Sequence, residues 1–450
     1  MQCLGNSLRV LIVASGVLGV LSTSAAGAEL VKLGPPPGAN WFGFSTATDG
    51  NFVVVGDLGF DDPTVTQTIG VAIVYRREGG QWVQDSVLVP QNPSAIKLYG
   101  YSVAIDHDII AVGAYSDFSV CQNFGDCSMG SVNVFRHEPS GWVFEAKLFP
   151  SGAPEETRYG QFVSLSEGRA VVSAPSETDA TGQLRGAVYI FRREGTSWVD
   201  EARIDPSDIA DGSAISFTGN AFALDAERLL LSATTIDGDA TAYVFRRAGT
   251  TWTEEAQLVL PTPDGRSQFG PGPFVDLGGD VAVVGGAASN AFVYLRGAGG
   301  WSFDATLSNL DLVAGGQEVK TSVNTDGFNV LVSTIAGNSP SVPASTFAVY
   351  QRDDHGWIRD SVLQPSSDII VSTQGAPTDM RDGLVTVGAR LPGTTLDFST
   401  SSAYVFDAPV PAFNSPGPLV PAVSTWGLVM MVLMLMSAAT WIVKRRMLTI

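Results

Sequence analysis

The sequence is poor in histidine, cysteine and basic residues. Its 450 residues include three histidines and three cysteines, and 26 lysines and arginines stand against 45 aspartates and glutamates. The resulting net charge of −19 opposes nucleic-acid binding, which depends on lysine and arginine contacts to phosphates. The G-x-S-x-G, H-E-x-x-H and Walker A patterns are also missing. Composition and motifs therefore argue against a nucleic-acid-binding protein and against the common hydrolase, zinc-protease and nucleotide-binding classes.

The three histidines lie in turn-like segments. His107 stands in I-D-H-D-I, His137 in F-R-H-E-P-S-G and His355 in R-D-D-H-G-W. A Ser-His-Asp arrangement needs a histidine within hydrogen-bond reach of its nucleophile. We interpret the histidines as surface-turn residues and predict no catalytic residue.

The N-terminal segment has the pattern of an export signal. Arg9 precedes an apolar run from Val10 to Leu21, and Ala26-Gly27-Ala28 has the small-x-small form of a signal-peptidase site. The apolar run is shorter than the roughly 20 residues that a spanning helix needs. We predict a signal peptide over residues 1–28, cleaved after Ala28, with an uncleaved anchor as the alternative.

The C-terminal segment has the pattern of a membrane anchor. Residues 426–443 carry no charge, and residues 444–450 begin with Lys-Arg-Arg. This pattern predicts a transmembrane helix over 426–443 and a cytoplasmic basic tail over 444–450. The body of the protein would then lie outside the cytoplasm, joined to the helix by a Pro/Gly-rich linker over 409–425.

The end of this linker resembles a known sorting signal. The segment V-P-A-V-S-T-W-G, from Val420 to Gly427, is similar to the IPTL-CTERM tail of Gram-negative bacteria. The similarity rests on five positions: Val420, Pro421, Ser424, Trp426 and Gly427. Ala422 departs from the family's threonine. The resemblance implies a Gram-negative envelope protein processed by an exosortase-type enzyme, and leaves open whether the tail is cleaved or remains as an anchor.

Two cysteines remain after signal removal. Cys121 and Cys127 flank the short segment Q-N-F-G-D. In an exported protein this close pair predicts a local disulfide. A metal site is the alternative, but it would need further ligands, and only His107 and His137 are near in sequence.

An internal repeat dominates the rest of the chain. A tryptophan after a glycine-containing turn recurs at intervals of 49 to 60 residues, at Trp82, Trp142, Trp198, Trp252, Trp301 and Trp357. An apolar strand that closes on glycine or serine occurs seven times, ending at Gly56, Gly113, Ser173, Ser232, Gly285, Ser333 and Gly388. Each unit contains four short strands without strict apolar-polar alternation, which indicates burial of both sheet faces. We predict an all-β fold, a seven-bladed β-propeller of four-stranded blades over residues 29–408.

The seventh unit lacks its tryptophan strand. It breaks off after S-S-A-Y-V-F, which ends at Phe406, while the segment from Ala28 to Pro36 is similar to the segment from Phe144 to Gly152 in an earlier unit. We therefore predict that Glu29 to Leu33 supplies the missing outer strand. This N-terminal strand would close the ring.

The units resemble the FG-GAP repeats of bacterial surface proteins, which are related to the integrin α-chain propeller. The FG element is matched at Phe42-Gly43, Tyr99-Gly100, Tyr159-Gly160 and Phe269-Gly270, and the GAP element at Gly113-Ala114 and Ala174-Pro175. Phe217-Thr218-Gly219 and Lys320-Thr321-Ser322 depart from the pattern. The resemblance implies a seven-bladed propeller used for adhesion or ligand binding, usually without catalysis.

Calcium is the one cofactor that the sequence leaves open. Integrin-type blades often hold calcium in D-x-D-x-D-G loops, and that spacing is absent here. The nearest candidates are Asp57 with Asp61 and Asp62, Asp106 with Asp108, and Asp237 with Asp239. We interpret these as turn residues, so no metal site or other cofactor is predicted.

Two further features recur with the repeat. Asp49, Asp106, Asp225 and Asp326 each precede a strand-ending glycine or serine by seven residues, which predicts a turn-forming role. The pairs Arg76-Arg77, Arg192-Arg193 and Arg246-Arg247 lie at strand-to-turn boundaries. These pairs either form an anionic-ligand rim or place charge on exposed outer strands, and we favour the second interpretation.

These features predict an exported, envelope-anchored, non-enzymatic binding or adhesion module. The alternatives are an exported propeller hydrolase acting on glycans, with acids and a histidine or arginine in its central funnel, and a purely structural envelope protein. A ligand, either a protein or a glycan, should bind where loops diverge between units. The longest such loops are 56–70 and 114–130.

Overall fold

The computed structural model describes residues 30–61, 69–92, 96–118, 129–150, 157–178, 182–204, 214–215, 222–234, 240–259, 274–286, 290–312, 319–336, 346–363, 378–389 and 402–407. Within these ranges the regular structure consists of β-strands and one 3-10 helix, Leu310–Leu312. The predicted signal peptide, linker, transmembrane helix and basic tail lie outside the described residues. In the part that is described, no helix is both long and apolar enough to span a membrane.

The strands of the first three blades follow one another in chain order. Blade 1 consists of β2 (Phe42–Thr48), β3 (Phe52–Phe60), β4 (Ile69–Glu78) and β5 (Gln81–Leu88). Blade 2 consists of β6 (Ile96–Asp106), β7 (Ile109–Asp117), β8 (Ser131–Glu138) and β9 (Gly141–Leu148). Blade 3 consists of β10 (Val163–Ser166), β11 (Arg169–Ala174), β12 (Ala187–Glu194) and β13 (Ser197–Ile204).

Three of the remaining blades repeat this order. Blade 4 has two segments in its innermost position, and consists of β14 (Ala214–Ile215), β15 (Phe222–Asp225), β16 (Arg228–Thr234), β17 (Ala240–Ala248) and β18 (Thr251–Leu258). Blade 5 consists of β19 (Val275–Gly278), β20 (Val281–Gly285), β21 (Asn290–Gly297) and β22 (Gly300–Ser308). Blade 6 consists of β23 (Val319–Thr325), β24 (Asn329–Ala336), β25 (Thr346–Asp353) and β26 (Gly356–Leu363).

Blade 7 is assembled from both ends of the described chain. It consists of β27 (Thr378–Arg381), β28 (Leu384–Ala389), β29 (Ser402–Asp407) and β1 (Leu30–Leu33). Strand β1 pairs antiparallel with β29, with Val31 opposite Val405 and Leu33 opposite Ala403. The prediction that the N-terminal strand completes the last blade is confirmed for Leu30–Leu33, and Glu29 lies outside the described residues.

The seven sheets form a closed ring. Their innermost strands contact one another in order around the ring, and β27 of blade 7 contacts β2 of blade 1. All six repeated tryptophans lie on outermost strands, and all seven repeated glycines or serines lie on the second strand of a blade. The fold is the seven-bladed β-propeller of four-stranded blades that the repeat predicts.

Burial of both sheet faces explains the unbroken apolar runs of the second strands. In β3, Val53 and Val55 pack toward blade 7 with Val405, whereas Val54 packs toward blade 2 with Ile110. Neighbouring residues of a strand point to opposite faces, so each blade fills two inter-blade cores. Alternation between polar and apolar residues is therefore absent from these strands.

The FG and GAP elements hold neighbouring blades together. The aromatic residues Phe42, Tyr99 and Tyr159 are buried in the inter-blade cores. Ser45 Oγ donates a hydrogen bond to the Gly100 carbonyl of blade 2 at 2.8 Å, and Ser102 Oγ donates one to the Gly160 carbonyl of blade 3 at 3.1 Å. A Cβ atom added at Gly56 or Gly113 would overlap the same two carbonyl oxygens. The repeated motif is therefore a contact between blades.

Candidate functional site

The blade topology separates long connections from short ones. In a four-stranded meander, the connections after the second and fourth strands emerge at one end of the blade, and the two hairpin turns lie at the other. We call these ends the long-loop face and the short-turn face. Both predicted ligand loops, 56–70 and 114–130, belong to the long-loop face. Their first residues continue strands, because β3 extends to Phe60 and β7 to Asp117.

The innermost strands of blades 1 and 2 carry matching β-bulges at the long-loop face. In blade 1, Phe42 pairs with Asp57 and Ser45 with Gly56, which leaves Gly43 and Phe44 without partners in the register. In blade 2, Gly100 and Tyr101 are left out in the same way. Gly43 and Gly100 have φ angles of 87° and 82°, a conformation that side chains disfavour. The bulges thus turn Phe44 and Tyr101 out of the regular ladder.

These two residues form part of a continuous aromatic row. The ring centroids lie 6.4 Å apart for Trp41 and Phe44, 4.9 Å for Phe44 and Tyr101, and 4.5 Å for Tyr101 and Tyr115. All four side chains are partly exposed, in contrast to the buried aromatics of the FG elements. We call Trp41, Phe44, Tyr101 and Tyr115 the aromatic row. It crosses from blade 1 to blade 2 on the long-loop face.

A buried carboxylate fixes the first member of the row. Asp57 accepts hydrogen bonds from the backbone amides of Asn40 at 3.1 Å, Trp41 at 2.9 Å and Gly59 at 2.8 Å. Burial raises the pKa of Asp57 above its ordinary value, and the three amides oppose that shift. A Cβ added at Gly59 would overlap the Trp41 indole, so the indole lies directly over this glycine.

Polar groups border the other end of the row. Gln161 occupies the position in blade 3 that corresponds to Tyr101, and its side chain hydrogen-bonds to Tyr101. Arg158, which is exposed, adds a positive charge near Tyr101. Burial and the neighbouring Tyr115 raise the pKa of Tyr101, so its hydroxyl stays protonated at physiological pH.

A second repeated network lies on the outer strands. The indole Nε1 of a tryptophan donates a hydrogen bond to an acid on the outer strand of the preceding blade. The bonds are 2.9 Å from Trp198 to Glu145, 3.0 Å from Trp252 to Glu201, 3.2 Å from Trp301 to Glu255 and 2.7 Å from Trp357 to Asp304. We call this set of bonds the outer belt. It links blades 2 through 6.

The outer belt also corrects the interpretation of the arginine pairs. Arg193 Nε donates to Glu145 Oε1 of blade 2 at 2.8 Å, and the Arg193 side chain is only 19% exposed. Arg77 pairs with Asp407 of blade 7 at 3.2 Å. Both arginines lie on the third strand of their blade and pair with acids of the neighbouring blade, so the prediction that they lie on outer strands is wrong for them. The Arg77 side chain is 41% exposed, as predicted, whereas most of the Arg193 side chain is buried. The guanidinium groups of Arg77 and Arg193 are engaged in these inter-blade ion pairs, whereas an anionic-ligand rim would need them to bind the ligand.

A cluster of charged residues gathers at the propeller axis near the short-turn face. Arg381 of blade 7 reaches across to blade 2, where its Nη1 lies 3.2 Å from the Ile105 carbonyl oxygen and 3.4 Å from Asp106 Oδ1. Asp276 of blade 5 and Asp49 of blade 1 both interact electrostatically with Arg381. Asp379 of blade 7 completes the group. We call Asp49, Asp106, Asp276, Asp379 and Arg381 the axial cluster.

The carboxylates of the axial cluster bind backbone amides, mostly of the next blade. Asp379 accepts from the Thr48 amide of blade 1 at 2.7 Å, Asp276 from the Thr325 amide of blade 6 at 2.7 Å, and Asp106 from the Glu167 amide of blade 3 at 2.7 Å. Although Asp276 retains some exposed surface, dense protein surrounds it, and this burial together with Asp379 raises its pKa to about 7. Burial likewise raises the pKa of Asp379 and of Asp49.

The predicted turn-forming aspartates fall into two groups. Asp49 accepts from the amides of Asn51 and Phe52, and Asp326 accepts from those of Phe328 and Asn329, so both close the turn that follows them. Asp106 and Asp225 instead accept from amides of the following blade. The seven-residue spacing from the strand-ending glycine or serine identifies the turn in which each aspartate lies, but it does not show whether the side chain bonds to its own turn or to the next blade.

The calcium candidates are engaged in protein contacts where they are described. Asp57 binds three backbone amides, and Asp61 accepts from Asn40 Nδ2 at 2.9 Å. Asp108 lies 3.9 Å from Arg193. Asp62, Asp237 and Asp239 lie outside the described residues, as do Cys121 and Cys127. Within the described ranges, no three histidine, cysteine, aspartate or glutamate side chains are grouped closely enough to hold a metal ion.

The histidines occupy different surroundings. His107 and His355 have side chains that are 88% and 89% exposed, each beside an aspartate of its own turn. His137 packs between blades, with ring centroids 5.2 Å from Phe52 and 4.9 Å from Trp142. His107 and His355 lie in exposed turns, as the sequence predicts, and His107 borders the axial cluster through Asp106. The prediction of a surface-turn residue is wrong for His137, which lies in β8 and packs against rings of two blades.

The aromatic row was not predicted from the sequence, although a signal for it exists. The residue after each F-G or Y-G element is Phe44 in blade 1, Tyr101 in blade 2 and Gln161 in blade 3. A bulge residue projects away from the ladder, so an aromatic residue at this position is not needed for blade packing. That the two rings are in contact depends on the ring of blades and could not be read from either unit alone.

Comparison with known families supports the repeat assignment. Residues 82–135 and 142–191 match the FG-GAP repeat family. Each match begins at an outer-strand tryptophan and ends in the third strand of the next blade. The chain is thus a seven-bladed β-propeller in which two segments of blades 1 to 3 match the FG-GAP repeat family. No curated protein matches the sequence.

Several solved structures are similar to the chain at low identity. The Pyrococcus horikoshii acylaminoacyl peptidase is 9% identical with a TM-score of 0.43, and the alignment covers 78% of this chain and 49% of that one. The Pseudomonas aeruginosa periplasmic gluconolactonase is 16% identical with a TM-score of 0.42, covering 75% and 95%. The β-propeller domain of the Pyrococcus furiosus trilobed protease is 8% identical with a TM-score of 0.45, covering 86% and 95%. The chain spans about half the length of the acylaminoacyl peptidases that it matches. These low scores carry no argument about function.

Proposed function

We propose that this protein is a non-enzymatic binding module of the adhesion type. The aromatic row is the observation that carries the proposal. Four partly exposed aromatic side chains lie in contact on the face where the connections between strands are longest. Large apolar rings with polar tips are typical of recognition surfaces, because they contribute contact area with little loss of conformational entropy.

The aromatic row is separate from the buried aromatic residues of the repeat. Phe42 and Tyr99, which pack between blades, are buried. Phe44 and Tyr101 occupy the bulge positions, each directly before the serine, Ser45 or Ser102, at which regular strand pairing resumes. In blade 6 the corresponding strand β23 pairs with β24 in continuous register, with Thr321 opposite Thr334. Among the blades whose first strands can be compared in this way, blades 1 and 2 have an aromatic residue at the bulge, blade 3 has Gln161 and blade 6 has no bulge, as expected for a site rather than for a repeat.

Substitution of the row tests this function. The full chain and its Phe44→Ala and Tyr101→Ala variants are applied to arrays of immobilised glycans and of surface proteins. We expect the parent protein to retain at least one ligand class and the variants to lose it. Phe328→Ala is the matched control, because Phe328 is 65% exposed and follows a turn on the short-turn face. Absence of any retained ligand would favour a purely structural envelope protein, and equal retention by all variants would place the ligand elsewhere.

The axial cluster favours a second candidate, an exported hydrolase acting on glycans. It brings together four aspartates and an arginine, with His107 at 3.0 Å from Asp106. Carboxyl groups with different pKa values are the usual requirement for general acid and base catalysis. Incubation of the full chain with a panel of polysaccharides, followed by reducing-end assay, tests this candidate. Activity that is lost in Asp49→Asn would replace the binding proposal by an enzymatic one.

The binding proposal includes an extracytoplasmic location. It is supported by the signal-like residues 1–28, the apolar segment 426–443 and the sorting-tail resemblance at Val420 to Gly427. Mass spectrometry of the mature protein from a Gram-negative host tests it. We expect an N-terminus at Glu29, and expect external protease to digest the propeller in cells whose outer membrane has been permeabilised. A retained N-terminal segment in a cytoplasmic fraction would contradict this part of the proposal.

A further inference from the structure

The geometry of the aromatic row points to a class of ligand. We infer that the row binds the rings of a neutral saccharide chain. This inference rests on the proposed binding function and deepens it. It follows from the arrangement of the rings, from the charge around them and from the size of the surface.

The rings form a line without closing on one another. Interplanar angles are 44° between Trp41 and Phe44, 50° between Phe44 and Tyr101, and 80° between Tyr101 and Tyr115. All four residues are partly exposed, and tilted or edge-to-face contacts cover less of a ring face than parallel stacking does. The spacings of 4.5 to 6.4 Å are comparable to the width of a six-membered ring. A chain of pyranose rings presents C–H bonds at such intervals, and these interact favourably with the negative face of an aromatic ring.

The charge near the row favours a neutral ligand. The acids closest to it are occupied within the protein: Asp57 is buried and bound to three backbone amides, and buried Asp117 accepts from Ser131 Oγ at 2.6 Å and pairs with Lys147. Asp61 is exposed but accepts from Asn40 Nδ2 at 2.9 Å, and the described residues include no group of three acids or histidines that could hold a metal ion. The net charge of −19 repels polyanions at long range. Arg158 is exposed at the border of the row, and its guanidinium can donate a hydrogen bond to a sugar hydroxyl.

The polar border matches the hydroxyl groups of a sugar. The Tyr101 hydroxyl and the Gln161 side chain lie together toward one end of the row. The side-chain amide of Asn40 lies at the other end, where its Nδ2 donates a hydrogen bond to the Gly59 carbonyl oxygen at 2.7 Å. A few directional polar groups around apolar ring faces orient a small amphipathic ligand. A stable protein partner would need a broader surface, of about 800 Å² on each side. Four aromatic side chains in single file form a narrower surface.

Titration with defined oligosaccharides tests the inference. The full chain is titrated with neutral hexasaccharides of glucose and of N-acetylglucosamine and with a polyuronate of similar length. Tryptophan fluorescence and calorimetry report binding. We expect a neutral hexasaccharide to bind, Tyr101→Ala and Phe44→Ala to weaken it at least tenfold, and Phe328→Ala to leave it unchanged. Tyr101→Phe should keep most of the affinity if the ring face, rather than the hydroxyl, makes the contact.

Other outcomes separate this inference from the broader proposal. Stronger binding of the polyuronate, or capture of a protein that is lost in Tyr101→Ala, would overturn the saccharide inference and leave the binding function intact. Tight binding of a neutral saccharide that is unaffected by both row variants would overturn the assignment to the aromatic row. Failure to bind any oligosaccharide or protein would overturn both. Circular dichroism of each variant shows whether the fold is retained, and Tyr101→Phe keeps the test valid if the alanine variant unfolds.

Discussion

The indole nitrogen of Trp198 lies 2.9 Å from a carboxylate oxygen of Glu145, a residue on the outer strand of the preceding blade. The same carboxylate accepts a hydrogen bond from Arg193 at 2.8 Å. Glu145 is 2% exposed. Although burial opposes ionisation, hydrogen bonds from Arg193 and Trp198 lower the pKa of Glu145. One buried anion therefore joins two blades, and tryptophan–acid bonds of this kind recur from blade 2 to blade 6.

Replacing Trp198 by phenylalanine should destabilise the protein through the outer belt. Phenylalanine keeps a ring in the inter-blade space but removes the N–H donor from a buried carboxylate. We expect a loss of about 1–2 kcal/mol, seen as a lower melting temperature. Trp142→Phe is the matched control, because the Trp142 indole nitrogen has no hydrogen-bond acceptor among the described residues. A larger effect at Trp142 than at Trp198 would show that the ring, and not its donor, matters.

Replacing Leu33 by alanine tests ring closure. Leu33 is 2% exposed in the core between blades 7 and 1, and Leu148 is 3% exposed at the corresponding end of the outer strand of blade 2. Removing a buried leucine side chain costs about 2–5 kcal/mol. We expect Leu33→Ala and Leu148→Ala to lower the melting temperature by similar amounts. An unchanged melting temperature for Leu33→Ala alone would mean that β1 does not hold the ring together.

Replacing Gly100 by alanine should prevent folding, whereas the same change at Gly195 should be tolerated. Both glycines have positive φ angles, 82° and 66°. The conformation alone costs alanine about 1–2 kcal/mol. A Cβ at Gly100 would also overlap the Val71 carbonyl oxygen of blade 1, while a Cβ at Gly195 would meet no atom within 4 Å. Soluble yield and melting temperature measure the difference, and equal effects would contradict the role of Gly100 as a blade contact.

Stability should depend on the titration of Asp276. Burial and the nearby Asp379 raise the pKa of Asp276 to about 7, above its ordinary value of 3.8. Between these two values the folded protein holds a proton that the unfolded chain releases, so the free energy of unfolding falls as the pH rises. We expect Asp276→Asn to flatten this dependence and to be more stable than the parent at pH 8. The asparagine side-chain oxygen can still accept from the Thr325 amide.

Chemical denaturation at several pH values measures this effect. Asp280→Asn serves as the control, because Asp280 belongs to the same blade and its side chain is 60% exposed. We expect the control to keep the pH dependence of the parent protein. The same slope in Asp276→Asn and in the parent would show that Asp276 ionises normally.

The sequence predicts the ring but not its connections. The period of the repeat was sufficient to predict seven blades. The missing outer strand of the seventh unit was sufficient to predict that β1 completes it, because both features follow from repetition. An acid follows each of the six tryptophans by three residues, as at Trp198 and Glu201, and this pattern was overlooked. Its meaning lies between blades, since four of these acids, Glu145, Glu201, Glu255 and Asp304, accept a hydrogen bond from a tryptophan roughly fifty residues later in the chain.

The axial cluster shows the same limit more strongly. Arg381 contacts Asp106, although 275 residues separate them in the chain. No local pattern in the sequence relates the two positions. Closure of the ring places blade 7 beside blade 1, and Arg381 can then reach blade 2, which is the next blade. The position of Asp106, seven residues before Gly113, indicated a turn residue. The structure shows in addition that its carboxylate accepts a hydrogen bond from the Glu167 amide of blade 3.

The pairing of β1 with β29 also sets an order on biosynthesis. Leu30–Leu33 are made before any blade exists, yet the strand with which they pair, Ser402–Asp407, is the last described strand to be made. Leu30–Leu33 therefore have no strand with which to pair while the chain of the first six blades is synthesised. Until β1 pairs with it, β29 is the outermost strand of blade 7 and its edge has no neighbour.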